Sequence, residues 1–167
     1  MLSVSLGSVE GVIDVSIIIP VCFQNPLKKF AVEFIKKVLL LEKRVIIPVT
    51  AIIGAYHIAT RYIGVPRADA RKILVELLQT RSPAFYPHIN IDTAVESLDI
   101  ASIYNIESWD SYLIALARGL GTKTIYTLDR ELEKIPEINI EIPFPQSAVK
   151  EYHEYLKTLI AKHLKKT

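Results

Sequence analysis

Residues 11–19 read Gly-Val-Ile-Asp-Val-Ser-Ile-Ile-Ile, an apolar and β-branched stretch that a single carboxylate, Asp14, interrupts. Such a run predicts a strand that is buried on both faces and ends at Pro20. A carboxylate inside a buried strand is unfavourable unless a cation or hydrogen bonds compensate its charge. The stretch therefore indicates both a central strand and a functional acid.

Helix-like and strand-like segments alternate along the rest of the chain. Further strands are predicted over residues 45–47, 123–127 and 138–142, with an extended piece at 88–91. Helices are predicted over residues 27–42, 48–64, 66–79, 93–104, 109–118 and 147–165; a Thr93–Glu96 capping box starts the fourth and Ser108 caps the fifth. This alternation predicts an α/β fold with a mostly parallel sheet and helices on both faces. In such sheets ligands bind beyond the carboxyl ends of the strands.

Two further acids fall where that rule places a site. Asp129 closes the strand-like run Ile125-Tyr-Thr-Leu-Asp129, and Asp110 lies in the first turn of a predicted helix. The helix dipole favours the ionised carboxylate there. Three acids gathered together repel one another, and a divalent cation is the usual way in which a protein compensates them. Oxygen ligands suit Mg²⁺ or Mn²⁺ and disfavour zinc.

Each acid also has a structural interpretation when it is taken alone. Asp110 could simply be a favourable acid at a helix N-terminus, and Asp129 could be a turn residue that binds its own backbone. Asp14 is harder to explain in that way. The sequence offers no Cys/His cluster with zinc spacing, no phosphate loop and no dinucleotide-binding glycine motif.

Composition and charge limit the class of protein. The chain has 167 residues, half of them hydrophobic, and its 20 basic and 18 acidic residues give a net charge of +2. This fits one globular domain with a small appendage and excludes a disordered chain. Residues 148–167 hold five Lys and two Glu. That basic tail is either a mild indication of an acidic partner such as nucleic acid or a solvated helix face.

The cellular location is predicted from cysteine usage and hydropathy. Cys22 is the only cysteine, so no internal disulfide can form, which suits the reducing cytoplasm. The N-terminus lacks a basic region ahead of an apolar one, so no signal peptide is predicted. The apolar run at residues 45–59 is too short to span a bilayer and contains Pro48, so no membrane association is expected.

Three short motifs carry a resemblance to the PIN-domain family. Val12-Ile-Asp14-Val-Ser16 resembles the opening strand of that family. The segment from Ser108 to Ala117 resembles its late helix, and Thr127-Leu-Asp129-Arg-Glu-Leu132 resembles its last acidic turn. Each motif alone is weakly specific, whereas the ordered set is fairly specific. The resemblance divides the chain into a PIN domain at residues 10–144 and a basic amphipathic C-terminal helix at residues 147–166.

The resemblance implies a fold, a site and an activity. The fold is a three-layer arrangement of a twisted, mostly parallel five-stranded sheet with helices on both faces. Asp14, Asp110 and Asp129 become the catalytic ligands of Mg²⁺ or Mn²⁺, and Ser16 and Thr127 become supporting hydroxyls. The implied activity is that of a metal-dependent endoribonuclease acting on RNA, and VapC-type toxins belong to this family. An antitoxin protein and a homodimer are the implied partners. Candidates for contacts with the RNA backbone are Arg61, Arg67, Arg71, Arg130 and the tail lysines.

One departure from the family pattern bears on activity. The family usually places a Glu about six residues after a proline on the helix that follows the second strand, and counting from Pro48 reaches Gly54. His57 lies one turn further on and is either a substitute ligand or an ordinary surface residue. The alternative function is therefore a catalytically weakened PIN fold that binds RNA or a protein. A response-regulator-like or phosphatase-like protein is disfavoured because no Asp-x-Asp motif occurs.

Overall fold

The computed structural model describes residues 7–166. The strands are β1 (Gly11–Ile13), β2 (Val45–Pro48), β3 (Phe85–Tyr86), β4 (Thr124–Tyr126) and β5 (Asn139–Glu141). The helices are α1 (Val15–Ile18), α2 (Lys28–Leu39), α3 (Val49–Ile58), α4 (Arg67–Gln79), α5 (Ile91–Tyr104), α6 (Ser108–Gly119) and α7 (Gln146–Leu164). A 3₁₀ turn (Ile19–Cys22) follows α1, a π-helical turn (Ala59–Ile63) continues α3, and a second 3₁₀ turn (Arg130–Lys134) follows β4.

The five strands form one parallel sheet in the order β3-β2-β1-β4-β5. Val12 of β1 pairs with Ile46 of β2 on one side and with Ile125 of β4 on the other. The chain therefore winds outward from a central β1, first to one edge of the sheet and then to the other. This confirms the predicted α/β class with five parallel strands.

Two apolar layers enclose the sheet, because successive strand residues point to opposite faces. On one face Ile13, Ile47 and Tyr126 join the side chains of α1 to α4 and of α7. On the other face Val12 and Ile125 join those of α5 and α6. All of these strand residues are buried, which is why the strands are short, apolar runs without alternation.

The first strand is shorter than the predicted one. It ends at Ile13, and residues 15–22 form α1 and the 3₁₀ turn instead of extending the strand to residue 19. The reason is local: Asp14 takes an extended conformation and its side chain accepts a hydrogen bond from the backbone N–H of Ser16, so it caps a helix. Ile17 and Ile18 are buried in helical conformation, which shows that tertiary burial overrides their β propensity.

Two predicted helix caps were also wrong. The side chain of Asn90 caps α5, which begins at Ile91, before the expected Thr93–Glu96 capping box. The predicted extended piece at residues 88–91 is also misplaced, because the strand in this region is β3 at residues 85–86. Ser108 is the first helical residue of α6, after Glu107, and no side chain caps that helix. Asn competes well with Thr as an N-cap residue, so the nearer Asn90 determines the start of α5.

The predicted C-terminal helix is docked on the body through its apolar stripe. Tyr152 is 2% exposed, and its ring centroid lies 6.4 Å from that of Phe23 after the first 3₁₀ turn. Val149 is buried in the same core layer, and Leu156 and Leu159 pack against it. Within residues 7–166 no helix is long and apolar enough to cross a membrane. The signal-peptide prediction concerns an N-terminus of which residues 1–6 lie outside the described part of the chain.

Candidate metal centre

The carboxyl ends of the two central strands bring the first two predicted acids to one edge of the sheet. Asp14 directly follows β1, and its backbone N–H donates to the carbonyl of Tyr126 in β4 at 2.9 Å. Thr127 and Asp129 follow β4 on the same side. The rule that ligands bind at this edge therefore selects the same residues as the sequence motifs do.

Hydroxyl groups fix one oxygen of the Asp14 carboxylate. Its Oδ2 accepts hydrogen bonds from Ser16 Oγ at 2.6 Å and from Thr127 Oγ1 at 2.9 Å, as well as from the Ser16 backbone N–H at 3.3 Å. Ser16 Oγ in turn accepts from the backbone N–H of Leu128 at 2.9 Å. The structure thus brings together Asp14 and both predicted supporting hydroxyls, and all three of these hydrogen bonds go to Oδ2.

Hydrogen bonds hold Asp129 at the same edge of the sheet. Its backbone N–H donates to Thr127 Oγ1 at 3.0 Å, and its Oδ1 accepts from the Glu131 N–H at 2.9 Å, so that it caps the second 3₁₀ turn. Because Thr127 also donates to Asp14, one hydroxyl joins the two acidic segments. The predicted turn role of Asp129 and a role in the site are therefore compatible.

Asp110 approaches this pair from the first turn of α6. Burial, followed by the charges of Asp14, Asp129, Glu107 and Glu131, raises the pKa of its carboxyl to about 6. Asp14 and Asp129 are therefore within electrostatic range of Asp110. Burial is the largest of these causes, and together with the neighbouring charges it outweighs the helix dipole, which lowers the pKa of an acid at this position.

Two acids in this pocket were missed by sequence reasoning. Glu107 and Glu131 both contribute to the repulsion at Asp110 and are exposed to solvent. Their spacing from the predicted acids could have indicated them. Glu107 precedes Asp110 by three residues, which is about one helical turn, and Glu131 follows Asp129 by two residues. Both had ordinary interpretations as surface acids, so nothing in the motifs distinguished them.

The donor set suits an oxygen-ligated divalent cation, although its geometry is not preformed. No group of three His, Cys, Asp or Glu side chains within residues 7–166 is arranged to hold a metal ion. Rotation of side chains would be required to bring the oxygens together. The carboxylates at the pocket are nevertheless hard anionic donors of the kind that Mg²⁺ and Mn²⁺ prefer. Burial is the largest cause of the raised Asp110 pKa, and a cation between the acids would offset the smaller part that comes from the neighbouring charges.

Gly54 lies beside the site with space around it. It stands on α3, and a Cβ atom added to it would meet only Val15 Cγ2, at 3.5 Å, which is an ordinary van der Waals contact. Close packing therefore does not require glycine here. His57 is exposed, and its ring packs edge-on against Tyr62 at 5.7 Å, as expected of a surface residue. Arg130 follows Asp129 directly and pairs with Glu133 at 3.6 Å.

The fold and this edge define a class of protein: a parallel α/β domain with carboxylates concentrated at the carboxyl ends of its central strands. The family model of the PIN domain matches residues 11–138, and the chain belongs to the PIN-domain family. The chain is similar to a solved toxin–antitoxin complex from Klebsiella pneumoniae, with a TM-score of 0.53 and 18% sequence identity, over 81% of this chain and 98% of that chain. No curated protein matches the sequence.

Proposed function

We propose that the protein is a metal-dependent endoribonuclease in which Asp14, Asp110 and Asp129 hold Mg²⁺ or Mn²⁺. The observation that supports the proposal is that one hydroxyl, Thr127 Oγ1, donates to Asp14 Oδ2 and accepts from the Asp129 backbone N–H, which joins two of the acidic segments at one edge of the sheet. Membership of the PIN-domain family, many of whose members are nucleases, supports the same activity.

The residues around the pocket have distinct roles in this proposal. Ser16 and Thr127 hold Asp14 Oδ2, and Oδ1 would be the oxygen offered to a cation. Asp110 and Asp129 supply the remaining charge from α6 and from the turn after β4. A bound cation supplies a ligated water of lowered pKa and offsets the charge that develops on the attacked phosphate. Arg130, next to Asp129, is the best placed of the predicted RNA-backbone contacts.

Arg61, another predicted RNA contact, belongs to the π-helical turn that continues α3. It follows Gly54 by seven residues, which is roughly 10 Å along a helix. Arg61 therefore belongs to an outer part of any RNA-binding surface.

The second candidate function is binding without catalysis. Gly54 favours it, because α3 presents no carboxylate where the family usually has a Glu. With one anionic ligand fewer, cation affinity falls, and a PIN fold that binds RNA or protein without cutting would result. The two functions differ in one observable property, the metal-dependent hydrolysis of RNA.

The test is cleavage of a structured RNA with Mg²⁺, with Mn²⁺ or with EDTA. Wild-type protein should cut with either metal and not with EDTA, and Asp14→Asn should lose at least 100-fold in rate, about 2.7 kcal/mol. Asp99→Asn, at an exposed acid on α5, is the matched control and should cut like wild type. A rate that is the same in wild type and Asp14→Asn would refute the proposed nuclease site.

We also infer a protein partner, either an antitoxin or a second copy of the chain. Ile91, Val95 and Leu98 form an apolar stripe on α5, and Ile91 and Leu98 are 82% and 64% exposed. Large apolar side chains that share an exposed face commonly mark an interface. The solved toxin–antitoxin complex gives a precedent for a protein partner in this fold.

The single buried Cys22 fits the cytoplasmic location that we infer.

A further inference from the structure

A second group of polar and aromatic side chains lies along the same edge of the sheet as the acids. Tyr86 of β3 is in register with Pro48 of β2. Val12 of β1 is in register with Ile46, so Asp14 is level with Pro48 and Tyr86. Adjacent strands are about 4.8 Å apart, which puts the backbones of Tyr86 and Asp14 roughly 10 Å apart across β2.

Tyr86 also lies on the same face of the sheet as the Asp110 helix. It packs against the apolar layer formed by α5 and α6, whereas its neighbour Phe85 packs into the opposite layer. Tyr112 belongs to the layer of Tyr86 and follows Asp110 by two residues on α6. The N-terminal part of α6 therefore presents Asp110 to the acidic pocket and Tyr112 to a separate polar group beside β2 and β3.

Two hydroxyl-bearing residues belong to that second location. The phenol oxygen of Tyr112 is buried and has no hydrogen-bond partner among residues 7–166. Thr50 lies in the first turn of α3, two residues after Pro48, which is in register with Tyr86. Thr50 is only half-buried, so its hydroxyl can donate to a ligand.

An aromatic ring pair lies on the solvent-facing side of this polar group. The Tyr86 ring is half-buried, and the exposed His88 ring stands nearly perpendicular to it, with centroids 6.3 Å apart and an interplanar angle of 81°. A ring wall with hydrogen-bonding groups at its base matches the two parts of a nucleobase, an aromatic face and a polar edge.

We propose that Tyr86 and His88 form a nucleobase subsite, with Thr50 donating to the polar edge of the base. The proposal rests on the proposed function, in which RNA is the substrate. It adds the place at which the protein holds a base next to the reacting phosphate. An uncharged base is the part of RNA that can approach this edge without repulsion, because the neighbouring acids repel phosphates. The subsite thus selects single-stranded RNA, in which bases are free to stack.

The test measures the binding of a short single-stranded RNA by fluorescence anisotropy. The buffer contains Ca²⁺ in place of Mg²⁺. Tyr86→Ala should weaken binding about tenfold, or about 1.4 kcal/mol, which is in the range for the loss of one base–aromatic stack. Tyr86→Phe and Tyr86→Trp should bind like wild type. The loss in Tyr86→Ala should be equal at low and moderate salt, because stacking neutralises no phosphate.

Two further variants keep the test decisive if Tyr86→Ala fails to fold. His88 is exposed, so His88→Ala should fold and bind several-fold more weakly than wild type. Tyr155→Ala, at an aromatic residue on α7, is the control and should bind like wild type. The subsite is overturned if folded Tyr86→Ala or His88→Ala binds within twofold of that control, or if wild type binds no RNA. RNA that binds through Tyr86 but is not cut with Mg²⁺ or Mn²⁺ refutes the nuclease and leaves the subsite standing.

Discussion

At the scale of single residues, Gly54 is the position at which the proposed metal site can be tested by adding a carboxylate. A Cβ atom at this position would make an ordinary contact with Val15 Cγ2 at 3.5 Å, and Val15 is adjacent to Asp14 in the chain. We expect wild-type protein to bind Mg²⁺ weakly and Mn²⁺ more tightly, as the divalent affinity order allows. Gly54→Glu should tighten Mn²⁺ binding about tenfold, or about 1.4 kcal/mol, as measured by titration calorimetry.

The matched control for Gly54→Glu is its neighbour on the same helix. Ile53 is exposed and points in a different direction around α3, so Ile53→Glu adds the same charge away from the pocket. It should leave Mn²⁺ affinity unchanged. Equal affinities in Gly54→Glu and Ile53→Glu, with both proteins folded, would show that Gly54 is not the family's missing carboxylate position.

Asp110 should lower the free energy of unfolding of the metal-free protein. Its carboxyl pKa is raised to about 6, so its ionisation at pH 7 is less favourable in the folded than in the unfolded chain. The full shift would be worth about 3 kcal/mol, but Asp110 is partly exposed and solvent screens the repulsion. Asp110→Asn should therefore stabilise the metal-free protein by about 1 kcal/mol at pH 7 in urea unfolding.

The pH dependence of that gain distinguishes an unfavourable ionisation of Asp110, caused by burial and by the neighbouring charges, from a packing effect. Because the folded-state pKa is raised, the stability contribution of protonated Asp110 is present below about pH 4 and is lost as the pH rises through 6. The advantage of Asp110→Asn should accordingly shrink to nothing near pH 4. Saturating Mn²⁺ should reverse its sign at pH 7, and an advantage that is the same at both pH values would contradict the unfavourable ionisation.

Much of the site could be predicted from residue types, and the rest depended on three-dimensional contacts. Asp14 was identifiable because a carboxylate in an apolar run requires compensation, and the structure supplies Ser16 and Thr127 for that purpose. Glu107 and Glu131 could not be selected, since a surface Glu near a turn is common and only the fold brings these two toward Asp110.

At the scale of elements, the docked face of α7 predicts a measurable difference between two tyrosines. Tyr152 is buried against Phe23, whereas Tyr155, on the same helix, is 38% exposed. Tyr152→Ala should destabilise the protein by about 3 kcal/mol, as loss of a buried aromatic ring does. Tyr155→Ala should have an effect below about 1 kcal/mol. Equal effects in thermal or urea unfolding would mean that α7 is not docked through this face.

The elements also show which local signals can be trusted. The pattern of apolar segments predicted the order of the central strands and the helices, because β1 and β2 are buried on both faces and read as apolar runs. Element ends were less accurate. Residues 15–19 are β-branched and apolar yet helical, since the Asp14 cap and burial outweigh their intrinsic preference. In the same way Asn90 took the cap expected at Thr93.

At the scale of the whole molecule, the stripe on α5 predicts self-association. The docking of α7 on its own body removes that helix as the source of a dimer, which leaves the exposed Leu98 and its neighbours on α5. An isologous pairing of two such stripes would bury them. Light scattering should show a dimer for wild type and a monomer for Leu98→Asp. Leu40→Asp, at a leucine of α2's C-terminal end that is 59% exposed, should remain a dimer.

The central claim is that Asp14, Asp110 and Asp129 hold one divalent cation site, and a crystal soaked in Mn²⁺ tests it most directly. Mn²⁺ scatters X-rays anomalously, so its position can be found without reference to the protein chemistry. We expect an anomalous peak in direct contact with carboxylate oxygens of all three residues, after rotation of their side chains. A peak elsewhere, or none at this edge of the sheet at saturating Mn²⁺, would contradict it.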